Sequence, residues 1–350
     1  MRNHPKCHDC AQQLLISPSA IFSSLIADLQ RARETIDMEY YIFASDRTGR
    51  LFADILGRKA RQGLRVRLIV DGYGSRSLSA ELRKALETSG VELQSHTLLR
   101  HGRYHRKMAI IDGSIAHIGG INIADRYAVG NALGRWQDVQ LRLTGDVVRA
   151  IQGLFDYDAY VSEGIDCEVP MSYRRSGFEV VWSESRGGRA MAELLRETLE
   201  EAQTSLIFAT PYFMPPARVM DMLARAVERG VRVTLLVPER CDIWLLDNVM
   251  RRHIAEAVAR GVDVRICRGA FLHATLAIVD GARVVVGSAN LDARSLYHNR
   301  EIMAVTTHRE VVASAERFVE DILERSTSPT TKDTRSIVPA FICRCFEGLL

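Results

Sequence analysis

The apolar positions of this chain fall into a repeated order of short buried runs and amphipathic stretches. Residues 34–43 read as a strand, 49–62 as a helix with apolar residues at helical spacing, and 64–70 as a strand apolar enough to be buried. A second helix over 79–89 closes at Gly90 ahead of a strand at 91–94. The later half runs the same way, with strands over 205–210, 231–237 and 262–266 separated by helices over 217–229 and 244–260. Gly63 and Gly230 follow matching helices, where a left-handed cap is expected. Helix, glycine and continuous apolar strand predict parallel strands with helices on both faces. Each half then carries a hairpin: 108–111 and 115–118 around Asp112-Gly113, and 276–279 and 284–286 around Asp280-Gly281.

This order predicts an α/β chain of two similar units, 18–157 and 189–325, with an N-terminal segment (1–17), a connection (158–188) and a linker and tail (326–350). A helix is expected over 310–325, while 326–335 (STSPTTKDTR) reads as flexible. The last stretch, 337–350, is too apolar for a solvated tail and suits burial on the domain or interfacial membrane contact.

Composition narrows the picture modestly. With 46 Lys and Arg against 43 Asp and Glu, the net charge of +3 gives no global pull toward nucleic acid, so any attraction for anions is local. Seven scattered cysteines suit reduced thiols in a cytoplasmic compartment better than a disulfide framework. Cys7-x-x-Cys10, flanked by His4 and His8, lacks a partner pair with zinc-ligand spacing and is read as part of a mobile N-terminus. The opening residues have no secretory pattern, and no uncharged apolar run approaches the ~20 residues of a membrane span. Such a chain is expected not to cross a bilayer, though it can sit on one.

The hairpins carry the chemistry. His105, Asp112, Gly119 and Asn122 recur as His273, Asp280, Gly287 and Asn290, all at one constant spacing. Four such identities arise by chance at a rate on the order of 10⁻⁵ per register, so the chain contains a duplication. One His per copy suggests two imidazoles facing each other, one to attack and the other to protonate a leaving group. Lys107 offers a point charge for phosphate oxygens, Asn122 and nearby amides can stabilise developing charge, and Gly119-Gly120 and Gly287-Ser288 are expected to leave room for a bulky anion and for close backbone approach. Asp138 and Glu301, each at the start of an alternating stretch, are candidates to fix an imidazole tautomer.

These residues resemble the phospholipase D superfamily, whose paired HxKx4D signatures are matched by His105, Lys107 and Asp112 and, less completely, by His273 and Asp280. Glu39-Tyr40-Tyr41, the run from Asp71 to Ser75, Pro211-Tyr212-Phe213, and the run from Gly287 to Ser295 followed by Asn299 and Glu301 look like the bacterial cardiolipin synthase branch. The resemblance implies two pseudo-symmetric α/β/α sandwiches with the active site at their interface, and a phosphohistidine intermediate without metal or other cofactor. It implies that Asp112 and Asp280 are structural, that Asp138 and Glu301 orient the two His, and that Asn122, Asn290, Gly120, Ser288 and position 275 belong to the site. Related enzymes mostly use the first copy as nucleophile. The implied partners are phosphatidylglycerol, a second phospholipid and an anionic membrane surface, met from the cytoplasmic side.

Thr275 departs from the pattern, standing where the family has Lys. A lost charge-assisted contact costs on the order of 1.5 to 3 kcal/mol, and Arg268 or Arg294 are the candidates to replace it. The reading is therefore a phosphatidyltransferase condensing phosphatidylglycerol with a second phospholipid. A phospholipase D using water or another alcohol, a nuclease, and a low-activity lipid-binding homologue stay open beside it. Near-zero net charge argues against the nuclease. Arg100, Arg103 and Arg106 are read as a solvated face or a headgroup docking surface, and Tyr40, Tyr41, Tyr212 and Phe213 as core or as the lining of the lipid's path.

Overall fold

A computed structural model of the chain describes residues 10–96, 102–165, 168, 172–175, 177–184 and 189–338. Two sheets frame it. Strands of the first run in the order Gln12–Ile16, Val139–Thr144, Ile115–Gly119, Lys107–Ile111, Thr35–Tyr40, Arg65–Asp71 and Glu92–His96. The second repeats that order with Phe178–Trp182, Ile302–Thr306, Arg283–Gly287, Leu276–Val279, Ser205–Ala209, Arg232–Pro238 and Asp263–Cys267. It adds Tyr173–Arg175 at one edge and Ser326–Thr327 at the other.

The α/β class and the duplication hold, and each sheet is mixed, combining the expected parallel strands with the expected hairpin. Thr35–Tyr40, Arg65–Asp71 and Glu92–His96 pair in parallel because helices carry the chain back between them. Lys107–Ile111 pairs antiparallel with Thr35–Tyr40 and, across the tight Asp112-Gly113 turn, with Ile115–Gly119, which in turn pairs antiparallel with Val139–Thr144. Asp112 and Gly113 have φ of 50° and 55°, and Asp280 and Gly281 of 52° and 60°, the left-handed pair that a two-residue hairpin turn requires. Asp112 tolerates that conformation while its carboxylate accepts the backbone N–H groups of Arg33, Glu34 and Thr35 at 2.8–3.1 Å. Asp280 does the same for Gln203, Thr204 and Ser205. Partial burial would raise both pKa values, but these donors outweigh it, holding Asp112 below its ordinary value and Asp280 at about 2.

The helices Pro18–Arg31, Arg47–Arg61 and Ala80–Thr88 cover the outer face of the first sheet, where Leu25, Phe52 and Leu82 share a core with Met38 and Leu68. The inner faces meet through Val147–Ser162 and Arg309–Glu324. Phe155 and Phe318 lie in one buried cluster with Ile118 and Leu141 of the first half and Val286 and Ile302 of the second. Each such side chain stabilises by about 1.5–3 kcal/mol when buried, so the seam between the halves is core rather than hinge.

Three segments differ from expectation. Gln12–Ile16 pairs with Val139–Thr144, so the first sheet starts within the expected N-terminal segment, and His4, Cys7 and His8 lie outside the described residues. The expected connection supplies Tyr173–Arg175 and Phe178–Trp182 to the second sheet. The stretch read as flexible forms the edge strand Ser326–Thr327 and a short helix, Thr331–Thr334, started by a Thr330–Asp333 capping box. Arg268 clasps the Asp333 carboxylate at 2.7 and 3.0 Å, which gives a Ser/Thr-rich segment a place to dock. Residues 339–350, most of the apolar tail, lie outside the described residues. Among the described residues no helix is long and apolar enough to cross a membrane.

Candidate active site

His105 precedes the strand Lys107–Ile111, and Glu301 precedes Ile302–Thr306 in the other half. His105 Nδ1 lies 2.8 and 3.0 Å from the two Glu301 carboxylate oxygens. His273 Nδ1 lies 2.7 Å from Asp138 Oδ2. Each half thus lends its carboxylate to the other half's imidazole. The backbone follows the same exchange. His105 N–H donates to Arg300 O at 3.0 Å, and His273 N–H donates to Gln137 O at 2.8 Å, the residue before the relevant carboxylate in each case. Ala270–Leu272 pairs in parallel with Arg135–Gln137 to carry the second of these contacts.

With Nδ1–H given to a carboxylate, Nε2 is the reactive nitrogen of each ring. Burial depresses the His105 pKa and Glu301 opposes it, while Lys107 and His273 push the same way as burial. The lowered value keeps the Nε2 lone pair free near neutral pH, as an attacking group needs. Lys107 is 2% exposed and donates to His105 O at 2.6 Å. Burial brings its pKa down to about 7 against the pull of Glu301, Asp138, Asp71 and Glu39.

The surroundings of the two rings differ. Glu301 also accepts from Ser288 Oγ at 2.5 Å, Ser295 Oγ at 2.8 Å and Asn299 Nδ2 at 3.2 Å. Asp138 accepts from Val139 N–H at 2.8 Å. His105 meets one aromatic edge, Tyr41, at 4.8 Å between centroids. His273 is flanked by Trp136 at 4.7 Å, Tyr127 at 5.3 Å and Phe271 at 6.1 Å. At the position equivalent to Lys107, Thr275 Oγ1 donates to Asn290 Oδ1 at 3.3 Å.

Several expected roles change. Gly119 and Gly287 serve the expected close backbone approach: a Cβ on Gly119 would stand 2.9 Å from Val139 O, and one on Gly287 2.2 Å from Ile302 O. At Gly120 the nearest atom to an added Cβ, at 3.1 Å, is Asp138 Oδ1, so the glycine clears space for the orienting carboxylate. Ser288 Oγ is engaged with Glu301. Asn122 accepts Ile42 N–H at 2.9 Å and donates to the Tyr127 hydroxyl at 2.9 Å, which makes it a support for a ring against His273. The first proposed replacement for the missing lysine does not fit. Arg268 is held by Asp333 and Glu239, and Arg294 lies near Arg103, Tyr41 and Tyr73 on the His105 side.

Arg106, read as surface, is fully buried. It pairs with Asp158 and Glu184 and donates to Ser183 O at 2.6 Å, while Arg300 reaches the same Asp158. Arg106 follows His105 and Arg300 precedes Glu301, so this ionic group braces the dyad from behind. Arg103 is half-buried, donating to the Tyr41 hydroxyl at 2.6 Å with its guanidinium 3.9 Å over Tyr73; Arg100 lies outside the described residues. Tyr40 and Phe213 are core, whereas Tyr41 and Tyr212 are half-buried.

Sequence reasoning missed Arg126, whose guanidinium lies 5.2 Å over Tyr127 and 5.9 Å over Trp136, the rings that flank His273. Its one signal was Trp136 two residues before Asp138, which puts ring and carboxylate in alternate positions of a short extended stretch. Among the described residues no group of His, Cys, Asp and Glu is arranged to hold a metal ion. What the arrangement offers is two imidazoles near enough for one to act on the other's charge, each with its Nδ1 fixed by a carboxylate, beside one buried ammonium.

Comparison with known proteins agrees with this geometry. The family described as cardiolipin synthase, PLD-like domain, matches residues 25–132 and 195–323. The probable cardiolipin synthase YwiE of Bacillus subtilis is 32% identical over 94% of this chain and 70% of its own length. A cardiolipin synthase of Oceanobacillus iheyensis is 33% identical over 90% of this chain and 70% of its own. In fold, the chain is similar to the crystal structure of phosphatidylserine synthase from Haemophilus influenzae, with a TM-score of 0.77 at 15% identity, covering 97% of this chain and 92% of that one.

Proposed function

Because the chain belongs to the cardiolipin synthase branch of the phospholipase D superfamily, we propose that it condenses phosphatidylglycerol with a second phospholipid through a phosphohistidine. It is a phosphatidyltransferase of the cardiolipin synthase type. His105 Nε2 attacks the phosphorus of phosphatidylglycerol, the bond from phosphorus to the glycerol oxygen breaks, and His273 Nε2–H gives that oxygen its proton. His273 then takes the proton of a headgroup hydroxyl on the second lipid. That oxygen attacks, the phosphorus–nitrogen bond breaks, and His105 returns to its starting form.

The observation that carries this reading is the exchange of carboxylates, which leaves both Nε2 atoms reactive and fixes their tautomers. His105 is given the nucleophile's part because Lys107 stands beside it and because its pKa is depressed. Arg126 supplies cationic character on the His273 side, where Thr275 cannot. Both substrates are lipids, so the enzyme works at a bilayer surface, and we place it on the inner face of the cell membrane.

Mass spectrometry of lipids from a synthase-deficient bacterium expressing this chain tests the proposal. Cardiolipin is expected with wild type and not with His105→Ala. Phosphatidate in its place would mean that water is the acceptor, and an unchanged lipid profile would count against transfer altogether.

A further inference from the structure

Two loops related by the duplication rise beside the site, one after strand Arg65–Asp71 and the other after Arg232–Pro238. The first presents Tyr73, 46% exposed, and Arg76, whose guanidinium lies 5.2 Å over the Tyr73 ring. The second presents Arg240, Ile243 at 50% exposure and Trp244 at 63%. Val129, 75% exposed, follows the short helix Asp125–Ala128 that carries Arg126 and Tyr127. Each loop is linked to its imidazole by a short chain of contacts. Tyr73 reaches His105 through Arg103 and Tyr41. Asp242, next to Ile243, accepts the Tyr212 hydroxyl at 2.6 Å, and both lie near Arg126, which covers the rings around His273.

A large indole and two aliphatic side chains held in water beside a catalytic opening are unfavourable unless something apolar covers them. The charge pattern indicates what that is. Acidic groups of the second loop are engaged within the protein: Glu239 with Arg268 at 3.2 Å, and Asp247 with Arg251 at 2.8 Å. Arg76 and Arg240 are exposed and form no ion pair among the described residues. Apolar tips with unpaired arginines in the same loops suit an anionic bilayer, whose hydrocarbon edge and phosphates they can meet together.

We infer that this rim is the docking surface for an anionic lipid bilayer, with Trp244, Ile243 and Val129 entering the headgroup layer and Arg76 and Arg240 meeting lipid phosphates. The inference rests on the lipid-transfer reading above and adds where the membrane meets the protein. Docked this way, both half-sites face the leaflet, and a lipid reaches either imidazole without leaving it fully.

The chain contains 3 tryptophans, and Trp136 and Trp182 are 1% and 4% exposed, so a change of emission on binding reports Trp244. Full-length protein mixed with phosphatidylcholine–phosphatidylglycerol vesicles is expected to show a blue shift, quenching by brominated acyl chains, and co-sedimentation. Phosphatidylcholine vesicles should give far less. Ile243→Ser with Trp244→Ser should weaken sedimentation on the order of 10- to 100-fold, while turnover of short-chain, monomeric phosphatidylglycerol stays at the wild-type rate. Sedimentation with unshifted emission would overturn the inference, as would failure to bind. An emission shift that follows protein concentration without vesicles would assign the rim to a second copy of the chain instead. Vesicle binding is read without catalysis, so a protein that docks through Trp244 yet turns over no lipid would sink the transfer reading and leave the surface standing.

Discussion

His105 and His273 are related by duplication, yet their surroundings have diverged. The first has a buried ammonium beside it and a carboxylate gripped by three further side chains, Ser288, Ser295 and Asn299. The second has Thr275, a carboxylate with a single additional backbone donor, and rings on several sides. A nucleophile profits from a depressed pKa and a cation that draws in the phosphate. A group that must carry a proton profits from aromatic faces, which attract cations. Similar scaffolding has been fitted to the two halves of one proton cycle.

The largest effect expected is at the imidazoles. His105→Ala should abolish turnover and phospho-enzyme formation, a loss of at least about 10⁴-fold. His273→Ala should cost about 10²–10⁴-fold, and most of that should return for a phosphodiester whose leaving group needs no protonation. Trapping labelled phospho-enzyme on each variant decides it, and label on His105→Ala alone would exchange the roles.

Neutralising the orienting carboxylates sharpens the contrast. Glu301→Gln and Asp138→Asn should each cut turnover by about 10²–10⁴-fold through loss of the held tautomer. Glu301→Gln should also lower the melting temperature, because an amide N–H₂ would face hydroxyl and amide donors that now converge on a carboxylate. Asp138→Asn should melt close to wild type. Asp112→Asn, at a turn distant from the chemistry, should lose stability more than turnover. Melts and rates measured side by side would refute this division if Asp138→Asn unfolded or if Asp112→Asn were stable but inactive.

Lys107 makes the pH profile asymmetric. Its pKa is lowered to about 7, so the ammonium is present below that pH and lost above it. The depressed His105 pKa frees the attacking nitrogen below its ordinary 6.5. The profile of kcat/KM should therefore rise at a pH below 6.5 and fall by about tenfold per unit above pH ~7. Lys107→Arg, whose charge persists, should shift the falling limb even if its rate is lower. A falling limb unchanged in that variant would show that another group controls it.

The smallest expected change lies at the break in the repeat. Thr275→Lys should raise turnover of phosphatidylglycerol about 10-fold if the second half-site is short of one charge, the equivalent of about 1.4 kcal/mol. If Arg126 already fills that need, Thr275→Lys should leave the rate flat or lower it, and Arg126→Gln should carry the loss. Steady-state rates of both variants separate these outcomes.

Much of this was legible before the structure. Apolar periodicity placed most of the helices and parallel strands it named to within a residue or two, but the strand expected over 34–43 ends at Tyr40 and the helices Pro18–Arg31, Val147–Ser162 and Ala190–Glu201 went unread. The Asp112-Gly113 and Asp280-Gly281 turns were legible because few dipeptides accept two left-handed residues. Asp138 and Glu301 could be picked out as carboxylates opening alternating stretches, but their crossing between halves could not. It depends on the short pairing of Ala270–Leu272 with Arg135–Gln137 and on the isolated bridge between Tyr104 and Arg300, which are too brief to leave a pattern. Arg106 was misread for a related reason. Its partners, Asp158 and Glu184, are distant in sequence, and nothing local distinguishes a buried arginine from a solvated one.

A duplicated chain ordinarily carries a spare, so that one copy may decay while the other works. The exchanged carboxylates remove that freedom here. A lesion at Asp138 is felt at an imidazole 135 residues away, and neither unit made alone would contain one complete pair. Two separate polypeptides, one for each half, would regain activity only on meeting, which makes the reaction itself a report that the halves have come together. Thr275 shows the one kind of divergence such interdependence tolerates: a change in what surrounds a pair, with the pair itself retained.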